Sequence, residues 1–275
     1  MTLRLAWFAT ARGQTSRKLL QAAQEEIASG RLDAEIVVVF CNRAPGEDAN
    51  TDAFQAQVRE YGIPLVTLSS QGFRKAHGGE QARKGEPLPE WRADYDREAI
   101  RLLEPYPFDL GVLAGYMLIF TEAAAERWDL LNLHPAAPGG PKGMWQDVIW
   151  ELMETKAERA GVMLHLATPE LDEGPPVTYC TYPIRGGEFD PLWRAIEGRT
   201  VEEIQEIEGE TNALFATIRS HGVDREIPLV VETLRALADG RVRIDGKRVL
   251  DGAGREIEAY DLTDEIERVV AAAAG

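Results

Sequence analysis

An asparagine and a histidine two residues apart, Asn132 and His134, close the apolar run in LLNLHPAAPGG. In a strand, residues two apart point to the same face. The two side chains therefore share one face, with Leu133 on the other. The PAAPGGPKG that follows cannot continue a strand, because prolines remove ladder donors and glycines loosen the backbone. The pair thus sits at a strand's carboxyl end and opens onto a loop. An amide donates hydrogen bonds without titrating, whereas an imidazole titrates near neutrality and can donate or accept. Together they suit a carbonyl carbon under attack: the amide and a protonated histidine steady the oxyanion, and the histidine moves protons. Such a site needs an acid to orient and charge the histidine. ELDEGPP supplies Asp172 in a tight turn, and a carboxylate beside an imidazole favours its protonated form. N-x-H alone is weakly specific, and an aspartate among Gly and Pro is ordinarily a turn former. The combination is what points to chemistry.

The elements that must position these residues follow from periodicity. LRLAWFA reads as a first strand. A loop, TARGQTS, leads to the helical run RKLLQAAQEEIASG, with Thr15 or Ser16 as its cap and Gly30 as its end. AEIVVVFCN is a nearly all-apolar second strand, as in a sheet buried on both faces. DAFQAQVREYG is helical, and IPLVTLSS is a third strand. Residues 71–90 read as a polar loop, and EWRADYDREAIRLLEPY as a helix. DLGVLAGYMLIF gives a fourth strand and a loop, TEAAAERW a short helix capped by Thr121, and DLLNLH the fifth strand. MWQDVIWELMETK is helical, and AGVMLHLAT and PVTYCTYPI are strands joined through PELDEG. The expected fold is an α/β, Rossmann-like open and mostly parallel sheet with helices on both faces, plus a mainly helical C-terminal extension. The division expected is residues 1–187 for the α/β domain and 188–275 for an extension packed on it. Within that extension, VEEIQEIEGETNALFATIRSHG and REIPLVVETLRALADG read as separate helical runs, RVRIDGKRVL as a hairpin and TDEIERVVAAAA as a last helix. In an open α/β sheet ligands bind at the carboxyl ends of the strands, which is where Asn132 and His134 fall.

Bulk properties narrow the function. The chain has 275 residues, 44% hydrophobic and 28% charged, an ordinary globular composition. No apolar stretch approaches the ~20 residues of a membrane span, so no membrane role is expected. The formal net charge of −16 argues against nucleic acid as a partner. Cys41 and Cys180 lie in apolar runs with no CxxC, which implies a reducing, cytoplasmic setting and no zinc site. The four histidines do not cluster with ligand spacing, so no metal is implied. The oligomeric state is not legible.

DLGVLAGYM, LLNLHPAAP and GVMLHLATPELDEGPPV, in that order, resemble the formyltransferase superfamily, with its phosphoribosylglycinamide formyltransferase branch nearest. The resemblance spans roughly residues 3–184 and is firmest over 109–177. It implies transfer of a formyl group from the co-substrate 10-formyltetrahydrofolate to a primary amine, without a metal. The acceptor would be a small molecule, with phosphorylated glycinamide ribonucleotide of purine biosynthesis one candidate. Asn132, His134 and Asp172 match the family's catalytic positions. Folate would be read by backbone groups near Tyr116, Met117 and Ile119 and by the turn preceding Asp172, at Leu171. A substrate phosphate would bind backbone amides at a helix N-terminus, at Gly13, Gln14, Thr15 and Ser16, with Arg12, Arg17 and Lys18 adding charge. His165 matches a frequent family histidine, and Glu208 or Glu210 the ribose-binding glutamate. The loop after His134 reads AAPGG where the family usually has S-L-L-P, and Leu118 stands where a basic residue is frequent. These two departures keep open a non-catalytic folate- or nucleotide-binding module, and a phosphate loop without the family's usual Gly-x-Gly-Ser arrangement keeps open a 10-formyltetrahydrofolate hydrolase.

Overall fold

A computed structural model describes residues 2–81, 86–170 and 172–274. Strands β1 (Leu3–Ala9), β2 (Ala34–Cys41) and β3 (Leu65–Thr67) alternate with helices α1 (Gln14–Ala28) and α2 (Ala49–Glu60). Helices α3 (Ser70–Ala76) and α4 (Trp91–Leu103) precede β4 (Leu110–Leu113). Next come α5 (Glu122–Arg127), β5 (Leu130–His134), α6 (Trp145–Glu154), β6 (Arg159–Leu166) and β7 (Pro176–Pro183). The remainder comprises α7 (Phe189–Ala195), α8 (Val201–Ile207), α9 (Ala213–Ala238), β8 (Val242–Asp245), β9 (Arg248–Asp251), β10 (Tyr260–Asp261) and α10 (Thr263–Ala274).

Eight of these strands form one sheet in the order β10-β7-β6-β5-β4-β1-β2-β3. The first five are mutually parallel, as strand–helix alternation requires, whereas β6 runs antiparallel to both β5 and β7. The chain builds outward from β1 through β2 to β3, then returns to place β4 on the other side of β1. That reversal opens a crevice at the carboxyl ends of β1 and β4. The sheet separates two apolar layers. Along β1, Leu5, Trp7 and Ala9 belong to one core cluster, and Ala6 and Phe8 to the other. All five have no exposed surface, which accounts for the unbroken apolar run.

Three local expectations are corrected. Residues 71–90 are not all loop, because α3 occupies the first part, capped by Ser69, whose hydroxyl accepts the Gly72 N–H at 2.9 Å. Neither Thr15 nor Ser16 caps α1. The N-cap is Gly13, in an extended conformation, and Ser16 lies one turn inside and buried. The first helical run read after residue 201 breaks between Ile207 and Ala213, so its first part is α8, and its second part merges with the next run into one helix of 26 residues, α9, which continues through Gly222 and Pro228. Pro228 costs a helical hydrogen bond. Burial of Leu214, Phe215 and Ile218 before it and Leu229, Val230 and Leu234 after it holds the helix together.

Residues beyond 187 share the core of the α/β layers. Ile204, Leu214, Phe215, Leu262 and Ile266 lie in the same buried cluster as Leu5 and Trp7. Helix α9 packs on α1, α6 and β6, and β10 extends the main sheet beside β7. The β8–β9 hairpin is tied to the start of β5 by Lys247, whose Nζ donates to the Trp128 carbonyl at 2.6 Å and to Asp129 at 2.8 Å. Among the described residues, no helix is long and apolar enough to cross a membrane.

Candidate active site

Asn132 and His134 lie at the carboxyl end of β5, as their spacing predicts. Antiparallel pairing places His165 of β6 directly opposite Asn132. Cross-strand partners face one another on the same side of a sheet, and Asn132 Nδ2 is 3.0 Å from His165 Nε2. Asp172 arrives from the β6–β7 turn. Its Oδ1 lies 3.4 Å from Asn132 Nδ2 and 3.5 Å from His165 Nε2, and its Oδ2 lies 3.5 Å from His134 Nδ1. Asp172 has φ +54°, a conformation that Asp and Asn tolerate better than other non-glycine residues. Gly174 makes the turn possible, because a Cβ there would fall 1.6 Å from the Leu166 carbonyl oxygen.

The loop after His134 does not lie open beneath the site. It folds over the histidine, which is only 2% exposed. His134 Nε2 donates to the Pro141 carbonyl at 2.8 Å, and the Gly143 N–H donates to Asp172 Oδ2 at 3.0 Å. A carbonyl only accepts, so Nε2 carries the proton and Nδ1 of the neutral ring is bare toward Asp172. This placement reverses an expectation. Burial pulls the His134 pKa down, and the opposing pull of the Pro141 carbonyl and Asp172 does not make up for it. The ring is therefore neutral at rest near pH 7 rather than held protonated. Burial pushes the Asp172 carboxyl up, but the His165 and His134 rings facing it and the Gly143 N–H together hold it below the usual aspartate value. His165 is itself 2% exposed, and its Nδ1 donates to the Leu166 carbonyl at 3.0 Å. That leaves Nε2 to face the Asn132 amide, from which it accepts.

The segment after β4 runs beside this cluster, since Leu113 pairs with Asn132. Tyr116 turns inward, 7% exposed and stacked on Phe120 at 4.9 Å, while Met117 is 54% exposed. The Met117 N–H donates to Thr10 Oγ1 at 2.9 Å, and the Ile119 carbonyl accepts from Arg92 at 2.5 Å. Both groups are already committed, so a ligand here would be read by other backbone groups of the segment. Leu171, expected to take part, lies outside the described residues.

At the β1–α1 loop, Gly13, Gln14 and Thr15 are exposed, as are Arg12, Arg17 and Lys18. Helix α1 has neither a side-chain cap nor an acidic residue in its first turn. The first four N–H groups of an α-helix lack intrahelical acceptors, and its positive dipole end favours an anion. The Ser16 hydroxyl faces away from this end and donates to the Ala114 carbonyl at 2.9 Å, so Ser16 offers an anion only its N–H. Glu208 is engaged by Arg199 at 2.5 Å and Asn212 at 2.9 Å. Glu210 meets Gln146, next to the loop over His134, at 3.4 Å. Among the described residues, no group of three His, Cys, Asp or Glu is placed to hold a metal.

Sequence reasoning did not single out Pro141, Gly143, Thr10, Arg92 or Asp96. The glycines of the 139–143 loop signalled a special backbone there. Nothing in the sequence marked Arg92 or Asp96, which read as polar positions of an amphipathic helix.

An amide, two imidazoles and a carboxylate are gathered at a strand end of an open α/β sheet, an arrangement whose chemistry suits acyl transfer. The formyl transferase family model matches residues 3–188, and the chain belongs to that family. It is 29% identical over 174 residues to phosphoribosylglycinamide formyltransferase of Escherichia coli K12, covering 62% of this chain and 70% of that protein. The Dictyostelium discoideum protein of the same name is 30% identical over 165 residues, covering 56% and 73%. The fold resembles phosphoribosylglycinamide formyltransferase of Coxiella burnetii, with TM-score 0.64, 19% identity and coverage of 95% and 99%. It also resembles a formyltetrahydrofolate deformylase of Burkholderia mallei, with TM-score 0.58, 17% identity and coverage of 91% and 70%.

Proposed function

We propose that this protein transfers a formyl group from 10-formyltetrahydrofolate to the primary amine of a phosphorylated small molecule, with glycinamide ribonucleotide the leading candidate. The observation that carries this reading is the convergence of Asn132, His134 and Asp172 within 3.5 Å at the end of β5. The folate would lie along residues 116–119, beside Asn132, where Met117 is open to solvent. The acceptor phosphate would sit on the exposed, uncapped N-terminus of α1.

Each side chain then has a task. The attacking amine is neutral and must lose a proton as the new C–N bond forms. His134 Nδ1, bare and facing Asp172, accepts it, and the imidazolium so formed is stabilised by the carboxylate 3.5 Å away; as the tetrahedral intermediate collapses, the formyl C–N10 bond of the folate breaks and N10 leaves with that proton as tetrahydrofolate. The Asn132 hydrogen that meets Asp172 only across a long 3.4 Å contact is free to serve a formyl oxygen placed beside it, where negative charge develops. His165 holds the other Asn132 hydrogen and so fixes the amide plane. Access to His134 requires residues 141–143 to lift. Gly139 and Gly143, both at positive φ, give that segment its backbone freedom.

The direct test supplies 10-formyltetrahydrofolate with and without glycinamide ribonucleotide and follows tetrahydrofolate. The expected result is turnover that requires the amine and yields formylglycinamide ribonucleotide. Equal tetrahydrofolate and formate release without any amine would make water the acceptor and overturn the transfer reading.

A further inference from the structure

Two short helices, α7 and α8, meet over the far end of α6 and leave a cavity of about 550 Å³. The turn between them passes through Gly198, at φ +80°, and α8 starts behind the capping box of Thr200. Both helices lie beyond residue 188, where the family match ends. The cavity floor is apolar, with Met153, Trp193, Ile196 and Ile204 all buried. Its wall carries Lys156, Arg185 and Arg194, none of them ion-paired among the described residues. Glu154, Glu197 and Glu202 stand at the edge without pairing to these cations. Arg185 is the fixed member. Its guanidinium lies 3.6 Å from the centroid of the Trp193 ring and donates to the Lys156 carbonyl at 3.0 Å and the Ala157 carbonyl at 3.4 Å. Trp193 is fixed in turn, because its indole N–H donates to the Ile184 carbonyl at 2.6 Å. The indole covers one face of the guanidinium. The other face is open to a planar group, since arginine stacks on flat rings. An enclosed hollow with an apolar floor and a few placed polar groups is the usual form of a small-molecule site.

We propose that this cavity binds a planar small molecule carrying one compact anionic group, the chemistry of a nucleoside monophosphate. The ring stacks on the open face of Arg185 and lies against Ile196 and Ile204. Lys156 and Arg194, exposed and unpaired, meet the phosphate. The carboxylates at the edge accept from sugar hydroxyls. They also repel a ligand whose negative charge runs along its length, such as a nucleoside triphosphate. The site is separate from the catalytic cluster, because the 10 residues of α6, about 15 Å, lie between it and the loop over His134. It does not depend on which amine the protein formylates.

The test titrates the full chain with adenosine and guanosine monophosphate by calorimetry and by tryptophan fluorescence, with orthophosphate and adenosine triphosphate alongside. The expected result is saturable binding of a monophosphate, about tenfold or more tighter than either comparison ligand. Trp193→Phe should keep the calorimetric binding and lose most of the fluorescence change. Lys156→Glu combined with Arg194→Glu should weaken binding about tenfold or more, because each change sets repulsion where a charge-assisted contact stood. Both side chains are exposed and unpaired, so the double variant should melt at the same temperature as the unaltered chain. Gly13→Asp, which blocks the α1 N-terminus, should leave the binding as it was. Weaker binding in Gly13→Asp would place the nucleotide on α1 and overturn the proposal. So would no binding at millimolar nucleotide, equal affinity for orthophosphate, or unchanged affinity in the folded double variant.

Discussion

His134 presents a bare Nδ1 to Asp172 Oδ2 across 3.5 Å, while its Nε2 hydrogen is fixed 2.8 Å from the Pro141 carbonyl. The ring is thus poised to gain a proton rather than to give one. A side chain 2% exposed pays heavily for charge, and it can carry one only while the carboxylate faces it.

The pH behaviour follows from that arrangement. Burial lowers the His134 pKa, so between its folded value and the ordinary value of about 6.5 the unfolded chain binds more protons than the folded one. This contribution to stability is complete above that ordinary value and is lost as pH falls through the folded pKa. NMR titration should show His134 changing charge below the usual histidine range, and further below it in Asp172→Asn, which lacks the carboxylate that pulls it up. A His134 titrating above the usual range would sink the proton-acceptor role.

Asp172→Asn separates charge from conformation. Asparagine tolerates φ +54° nearly as well as aspartate, so thermal stability should change little. Turnover should fall ~100-fold or more, because the imidazolium loses its partner. Asn132→Ala and His134→Ala should cost at least as much, and near-normal kcat in both would refute their roles. Asp172→Ala adds backbone strain, so its melting temperature should drop below that of Asp172→Asn.

Gly174→Ala is expected to disable the site from a distance. The new Cβ would collide with the Leu166 carbonyl oxygen, which cannot move without unpicking β6. The turn carrying Asp172 must shift instead, costing about 1–3 kcal/mol of stability and most of the turnover. Chemical denaturation and single-turnover assays would measure the two losses separately.

Gly13→Asp asks whether the acceptor carries a phosphate. Gly13 has an extended φ of −136° and open space where a Cβ would stand. A carboxylate there would cap α1 and stabilise it by about 1 kcal/mol. It would also occupy the N–H groups meant for an anion. The expected result is a higher melting temperature together with a much raised KM for glycinamide ribonucleotide and an unchanged folate KM. An unaffected amine KM would remove the phosphate from the α1 terminus.

Where periodicity reports directly on burial, the sequence was legible. The nearly unbroken apolar run AEIVVVFCN placed β2 inside a sheet covered on both sides. The N-x-H spacing put two polar side chains on one face at the end of β5. Asp172 was legible as the turn residue expected to reach the pair on β5, though not the positive φ or the glycine at 174 through which the turn delivers it. The split of α9 was misread because Gly222 and Pro228 are local breakers, and only packing against α1, α6 and β6 overrides them. Arg92 and Asp96 were invisible because a charged residue at helical spacing reads the same whether its face meets water or a buried segment.

The sequence by itself determined which residues form strands, which side chains share a face, and the family to which the chain belongs. Tertiary structure alone decided the charge state of His134, the partners of Ser16, and the grip of α4 on the next segment, through Arg92 on Ile119 and Asp96 on Thr121. The physical reason is desolvation. A repeat pattern encodes which face of an element is buried, but proton affinity and hydrogen-bond pairing depend on which distant segment closes over a group. Here those segments are the 141–143 loop, the β6–β7 turn and α4.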